Sequence, residues 1–432
     1  MSRTRIAVVG AGVSGLVAAR ELHLAGHDVA VFEAGPYAGG HTNTVTVEAD
    51  AGAWEVDTGF IVLNDRNYPN FERLLGELGV ATQPAGMSFS VSDGDGGFEW
   101  ASRPRGVFAR GANVLDPRFH RMLLDLVRFF RDARGLVGTN GDGPTLRAFC
   151  EQQGYSEYFV ERLIVPQVSA VWSADPERLW SFPASFMAEF FSNHGALQLS
   201  GRPCWRSVTG GARRYVEALI DPFRSRIALD TPVSAIRRVP GGVEISHPRG
   251  AELFDEVVLA THSDQALELL ADPTAAEREV LGAIEYQPNE AVLHTDERLL
   301  PRRRGAWASW NFHLTPEPAG RTTVTYHMNR LQSLIADRQF LVTLNRSDAI
   351  DPEKVIRQID YAHPVYTPDA VAAQGRWAEI SGRDRIHYCG AYWRWGFHED
   401  GVWSALRVCE RLDALERGRR VLAAPSTQPL AA

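Results

Sequence analysis

Two features of this sequence are of a type and spacing that could do chemistry. The first is Gly10-Ala11-Gly12-Val13-Ser14-Gly15, a GxGxxG hexapeptide. Glycine permits a tight turn at 10, lets a pyrophosphate approach the backbone at 12, and allows helix and strand to pack closely at 15. A diphosphate then rests on the helix end opened by Val13 and Ser14, where free N–H groups and the dipole favour anions. Glu33, 18 residues after Gly15 and followed by Ala34, supplies a carboxylate for ribose hydroxyls and repels a 2′-phosphate. The second feature is compositional. Lys and Arg together number 45, and 44 of these are arginine, so Lys354 is the one deprotonatable amine side chain. A GC-rich genome explains the ratio. The four cysteines (150, 204, 389 and 409) form no CxxC pair and no metal-ligand spacing with histidine, which suggests reduced cytoplasmic thiols.

Those residues need elements to hold them. RIAVV reads as a strand, GAGVSG as a turn, LVAARELHLAG as an amphipathic helix and DVAVFE as a second strand, which together make a βαβ unit. SVTGGARRYVEALIDPF reads as a helix that feeds strands in IALDTPVSAIRRV, GVEISH and DEVVLATH. The tail HYCGAYWRWGFHEDGVWSAL reads as strand, loop and a helix beginning near Asp400. Residues 62–204 look helical and aromatic-rich, and 266–374 mix strands with turns. The expected organisation is a nucleotide-binding domain in three pieces, 1–61, 205–265 and 375–418. A second domain is built from two insertions, 62–204 and 266–374, and 419–432 is a mobile tail. The net charge of −8 argues against a nucleic-acid partner. MSRTR followed by uncharged Ile6 to Ala19 resembles a leader, but its three glycines suit a turn better. No uncharged apolar run reaches the roughly 18 residues of a membrane span. A soluble, cytoplasmic protein is expected.

Downstream of the hexapeptide come Gly39-Gly40-His41 and Val56-Asp57-Thr58-Gly59-Phe60, with Ile61 next. With the glycine pair at 210–211, the strand region around Val233 and the terminal CGAYW…HEDGVWSAL segment, the layout resembles the FAD-containing amine oxidase and phytoene desaturase superfamily. The resemblance implies FAD and an α/β fold: a Rossmann-type, amine-oxidase-like FAD-binding domain with an α+β substrate domain. It implies backbone contacts to diphosphate and flavin from Gly39, Gly40, Thr58, Gly59, Phe60 and Ile61, and an adenine contact from Val233. It also implies a helix N-terminus at Asp400-Gly401-Val402, with Asp400 as N-cap, facing the pyrimidine end of the flavin and favouring its reduced form. Two positions depart from the pattern. His41 follows the glycine pair where a basic residue is usual, and Gly390 is followed by Ala391 instead of an acid.

The resemblance also bears on the reaction. In amine oxidases a lysine bridged by water to flavin N5 lies on a strand after a Y-x-P segment. Tyr286-Gln287-Pro288-Asn289-Glu290-Ala291-Val292 has none, and Lys354 falls in DPEKVIRQI, read as a charged, exposed helix. C–H dehydrogenation of an apolar chain is therefore favoured over amine oxidation. Trp172, Phe182, Phe186 and Phe190 crowd one segment, the three phenylalanines at i, i+4 spacing; they are either core or the wall of an apolar tunnel. Asn193, Trp310, Tyr392 and Trp395 are further substrate candidates. The phrases GGHTNTV, VDTGFIVLND, SAVWS, NHG, VLHTD, WASWNFH, MNRLQ and CGAYWRWGFHEDG look like one subfamily: bacterial FAD-dependent oxidoreductases encoded near cyclopropane-fatty-acid-synthase-like methyltransferases, among them the fatty acid desaturase of furan fatty acid biosynthesis. This resemblance implies removal of two hydrogens from a methylated, unsaturated fatty acyl or phospholipid substrate. Flavin N5 takes a hydride, and a proton goes to His398 or Glu399, of which histidine titrates nearer neutrality. Those two residues could instead order the loop. O2 is the expected electron acceptor, giving peroxide. A polyene desaturase, a fatty acid double-bond isomerase, an amine oxidase and a non-catalytic flavin-binding partner of a lipid-modifying complex remain open. A substrate drawn from a bilayer implies peripheral contact with the inner membrane face, for which the arginines at 302–304 and 202–206 are candidates.

Overall fold

Short runs of Val, Ile, Leu and Ala lie side by side and parallel at the centre of the first of two units. Their order is Ile227–Ala228, Asp28–Phe32, Arg5–Val9, Glu256–Leu259 and Ile386–Tyr388. Parallel strands covered on both faces read as nearly continuous apolar runs, and Ile6 to Val9 and Val257 to Leu259 are buried throughout. The structure, a computed structural model, describes residues 3–49, 52–139, 143–172, 176–198, 201–315 and 321–423. The Val13–Leu24 helix returns the chain from Arg5–Val9 to Asp28–Phe32, the crossover that a parallel pair requires. The long His398–Ala423 helix follows the last strand. An antiparallel three-stranded sheet, Ala235–Val239, Gly242–His247 and Gly250–Phe254, completes this unit. The sequence reading missed its third strand.

This α/β unit comprises Met1–Gly40, Leu219–Gly282 and Gln374–Ala432. These bounds differ from the 1–61, 205–265 and 375–418 read from the sequence. The Thr44–Ala49 and Gly52–Asp57 hairpin falls in the second unit, as does Trp205–Val208, which pairs there with Leu63–Asn64 and Thr82–Pro84. The Ser263–Leu269 and Ala275–Gly282 helices stay with the first unit. The expected tail begins inside the last helix, and 424–432 lie outside the described residues.

The second unit, His41–Ala218 and Ala283–Ala373, is built on a seven-stranded mixed sheet with helices such as Pro117–Arg134 and Ala184–Asn193. Its edge corrects the reading of DPEKVIRQI. Pro352–Lys354 is a single 3-10 turn and Val355–Pro364 is a strand, paired antiparallel with Tyr286–His294. The acidic and basic residues mask a β-branched run (Val355, Ile356, Ile359) that finds its partner some sixty residues earlier. Among the described residues, no helix is long and apolar enough to cross a membrane.

Candidate cofactor site and active site

The hexapeptide forms the turn between Arg5–Val9 and Val13–Leu24. Gly10 has φ +100°, and a Cβ there would meet the Ala260 carbonyl oxygen at 2.9 Å. At Gly15 a Cβ would lie 1.9 Å from the Gly10 oxygen, so helix and turn touch as the pattern requires. Gly12 is different. It is the N-cap of the helix, makes no side-chain cap, and a Cβ there would meet nothing within 4 Å. An uncapped helix end beside open space is what a diphosphate needs.

The other elements converge on that turn. Gly39 N–H donates to the Ala11 oxygen at 2.8 Å, bridging Gly12 and Gly39 and bringing the Gly39-Gly40 turn onto the hexapeptide. Glu33 Oε2 accepts from Ala11 N–H at 2.7 Å and Oε1 from Gly35 N–H at 2.8 Å. Each oxygen keeps a lone pair for a ribose hydroxyl. Ala34 is exposed beside it. Thr231 N–H donates to the Glu33 carbonyl at 2.8 Å, holding the segment that carries half-buried Val233 against the end of Asp28–Phe32. The donor set and the open space fit the adenosine diphosphate part of FAD.

The C-terminal segment meets the same turn. A Cβ on Gly401 would lie 2.7 Å from Val13 Cγ1 and 2.9 Å from Ser14 Oγ, so the starts of the two helices are packed together. The helix begins at His398, two residues earlier than expected. Asp400 is therefore not its N-cap but its third residue, reaching back to accept from Phe397 N–H at 2.9 Å. Burial pushes the Asp400 carboxyl up to about 7, while that N–H and Arg394, at 3.6 Å, pull the other way. His398, Glu399 and Val402 are buried beside it. Two residues that the sequence reading did not find fix this segment. Ser404 Oγ accepts from Gly390 N–H at 2.9 Å, and Gln374 Nε2 donates to the Tyr392 carbonyl at 2.8 Å. Tyr392 is buried, and Trp395 is half-buried under the Arg394 guanidinium.

The remaining candidates fall in the second unit. His41 stacks on Tyr361 with ring centroids 4.7 Å apart and meets the edge of His363. Thr58 Oγ1 bonds Asn43 O and the Tyr361 hydroxyl, and a Cβ on Gly59 would strike the His41 oxygen at 2.1 Å. Phe60 N–H donates to that same oxygen, and Phe60 and Ile61 are buried. Tyr361 and His363, spaced i, i+2 on the misread strand, went unrecognised. Asp57 accepts from Thr44 Oγ1, Ala212 N–H and Gln332 Nε2, and burial pushes it up to about 7 against the pull of the Thr44 and Ala212 donors.

Trp172 is ringed by Phe182, Phe186 and Phe190 at 5.7, 5.9 and 4.9 Å, and Phe186 packs on Tyr366 at 5.0 Å. His194 stacks on Phe190, and burial lowers it to about 4; Asn193 is exposed. Trp310 packs edge-on to Tyr326. Lys354 lies 3.6 Å from the buried Asp296 carboxylate with its side chain 43% exposed.

The family model for flavin-containing amine oxidoreductases matches residues 13–335. Among solved structures, cyclohexylamine oxidase from Brevibacterium oxydans superposes with a TM-score of 0.69 at 17% identity, covering 96% of this chain and 100% of its own. The CLA-producing fatty acid isomerase from P. acnes gives 0.67 at 18% identity, with 94% and 98% covered. Putrescine oxidase bound to putrescine gives 0.65 at 16% identity, with 96% and 100% covered. Amines and fatty acids are thus both handled on this architecture. The chain belongs to the flavin-containing amine oxidoreductases, a family whose members bind FAD.

Proposed function

We propose that this flavin oxidoreductase dehydrogenates a methylated, unsaturated fatty acyl chain, with O2 as the final electron acceptor, as a step in furan or methylated fatty acid formation. The observation that carries the reading is the position of the one lysine. It ends a surface turn and is paired with Asp296, and the Tyr286–His294 strand has none. The residues that would hold FAD are the hexapeptide, Glu33, Gly39 and Gly40, with the start of the last helix beside them. When bound, FAD supplies the two-electron acceptor for the C–H bond that is broken.

The chain's own residues supply the rest. A C–H bond beside a double bond is weakened, and the carbon next to it must lose a proton. His398, buried at the first position of the last helix, is the acceptor we assign, with Glu399 beside it. Asp400 holds that helix end in register through Phe397. The aromatic cluster around Trp172 supports an apolar partner over a charged one. The fatty acid isomerase shares the fold, so a double-bond shift without net oxidation is the second reading.

Anaerobic mixing tests the proposal. A methylated, unsaturated acyl chain is expected to bleach the flavin absorbance, and putrescine and cyclohexylamine are expected to leave it unchanged. Bleaching by the amines alone would overturn the reading, and conversion of the lipid with no bleaching would favour the isomerase.

A further inference from the structure

Among the described residues, eleven large apolar side chains are exposed, and six of them fall between residues 108 and 137: Phe108, Val114, Leu115, Leu124, Val127 and Val137. Leu115 is 87% exposed, Leu124 64% and Val127 62%. Scattered apolar residues on a surface are ordinary, but a concentration in one short segment is not. Leu124 and Val127 lie on the outer face of the Pro117–Arg134 helix, whose inner face buries Phe119, Met122 and Phe129. Leu115 is two residues before that helix.

The charge of the same segment is opposite to that of the molecule. Residues 103–134 hold eight arginines against three aspartates, a surplus of five in a chain of net −8. Each aspartate already has an arginine: Asp116 pairs with Arg118, Asp125 with Arg121 and Arg128, and Asp132 with Arg131. Arg131 and Arg134 continue the exposed face of Leu124 and Val127, each seven residues further along the helix. Beside Leu115 opens a cleft of about 430 Å³, also lined by Arg110, Arg118, Arg162, Tyr158 and Phe98. Arg162 packs over both rings, at 4.9 and 4.8 Å, and its Nε is buried with no hydrogen-bond partner among the described residues. Two carboxylates share the cleft, and both are engaged, Asp93 by Gly96 N–H and Asp116 by Arg118.

We propose that this face of the second unit docks on an anionic phospholipid bilayer, with the cleft beside Leu115 receiving a headgroup phosphate. Leucine and valine enter the interface while arginines further along the same face reach the phosphates, the division of labour of an interfacial helix. The arginines at 302–304 fit this role less well, because among the described residues no large apolar side chain between 254 and 334 is exposed. The proposal stands on the surface and does not depend on the acyl substrate.

Flotation of the flavin-loaded protein with vesicles tests it. We expect binding to phosphatidylglycerol vesicles at low salt, weaker by about tenfold on phosphatidylcholine and falling as salt rises. The triple variant Leu115→Ser, Leu124→Ser, Val127→Ser should lose about tenfold or more with its flavin content unchanged, since all three side chains are exposed. Arg131→Glu with Arg134→Glu should lose the preference for anionic vesicles. Wild-type protein that stays off both vesicles, or variants that float as the wild type does, would overturn the proposal. So would a triple variant that floats normally but shifts from oligomer to monomer in light scattering, which would make the face a contact between copies. Vesicle binding that persists, and fails in the variants, while no acyl chain reduces the flavin would support the docking surface and defeat the substrate reading.

Discussion

His398, proposed as the proton acceptor, and Lys354, paired on the surface with Asp296, should respond oppositely to substitution. His398→Gln keeps a polar side chain of similar reach but removes the proton acceptor. We expect FAD content to be retained and flavin reduction by the acyl substrate to slow by about 10²–10⁴-fold. A rate within a few-fold of wild type would return His398 to a loop-ordering role. Lys354→Met should do almost nothing to turnover. Its ion pair with Asp296 is half-exposed and only one of that carboxylate's contacts, since Arg298 and Asp351 N–H also reach it. The expected cost in unfolding free energy is about 0.2–1 kcal/mol. Loss of flavin reduction in Lys354→Met would mean that the lysine serves the chemistry after all.

At the scale of elements, the candidate cofactor site is two helix starts and a turn held at backbone contact. Gly15→Ala drives a methyl group to 1.9 Å from the Gly10 oxygen, and Gly401→Val pushes branched carbon into Val13 and Ser14. Each should cost about 1–3 kcal/mol and strip FAD, measured by flavin content and denaturant unfolding. Stable protein with full flavin in either variant would contradict this packing. That turn was legible in the sequence, because a glycine demanded by close approach leaves a spacing that can be read. So was Glu33, whose place at a strand end follows from the same period. The Val355–Pro364 strand was not legible. Its charges hide the alternation, and pairing with a distant strand decides its conformation. The helix start at His398 was misjudged for a related reason: Asp400 has the residue type of an N-cap, but a helix accepts an acid at its third position as readily. Ser404 and Gln374 carry no sequence signature, since each acts only through a backbone group of a distant or irregular segment.

For the molecule as a whole, acid stability follows from buried histidines. Burial holds His194, His294 and His327 down at about 4, and His313 and His363 at about 3. These values lie below the unfolded 6.5, so the unfolded chain takes up protons that the fold refuses. Stability therefore falls as pH drops from about 6.5 towards 4, by up to about 1.4 kcal/mol per pH unit for each histidine. Asp57 and Asp400, raised to about 7, act the other way. Their contribution is full below about 3.8 and is lost as pH rises to 7. Five groups against two leave a net loss on acidification, and the urea midpoint should be lower near pH 5 than near pH 7; a higher one would contradict the assignment. The proposed activity, removal of two hydrogens from a lipid by the FAD-loaded chain, also belongs to the whole molecule. Its most direct test is mass spectrometry of a methylated, monounsaturated acyl chain incubated aerobically with the FAD-loaded protein. The expected product is lighter by two hydrogens, with one peroxide formed for each molecule converted. A product of unchanged mass with a displaced double bond, or untouched lipid, would contradict it.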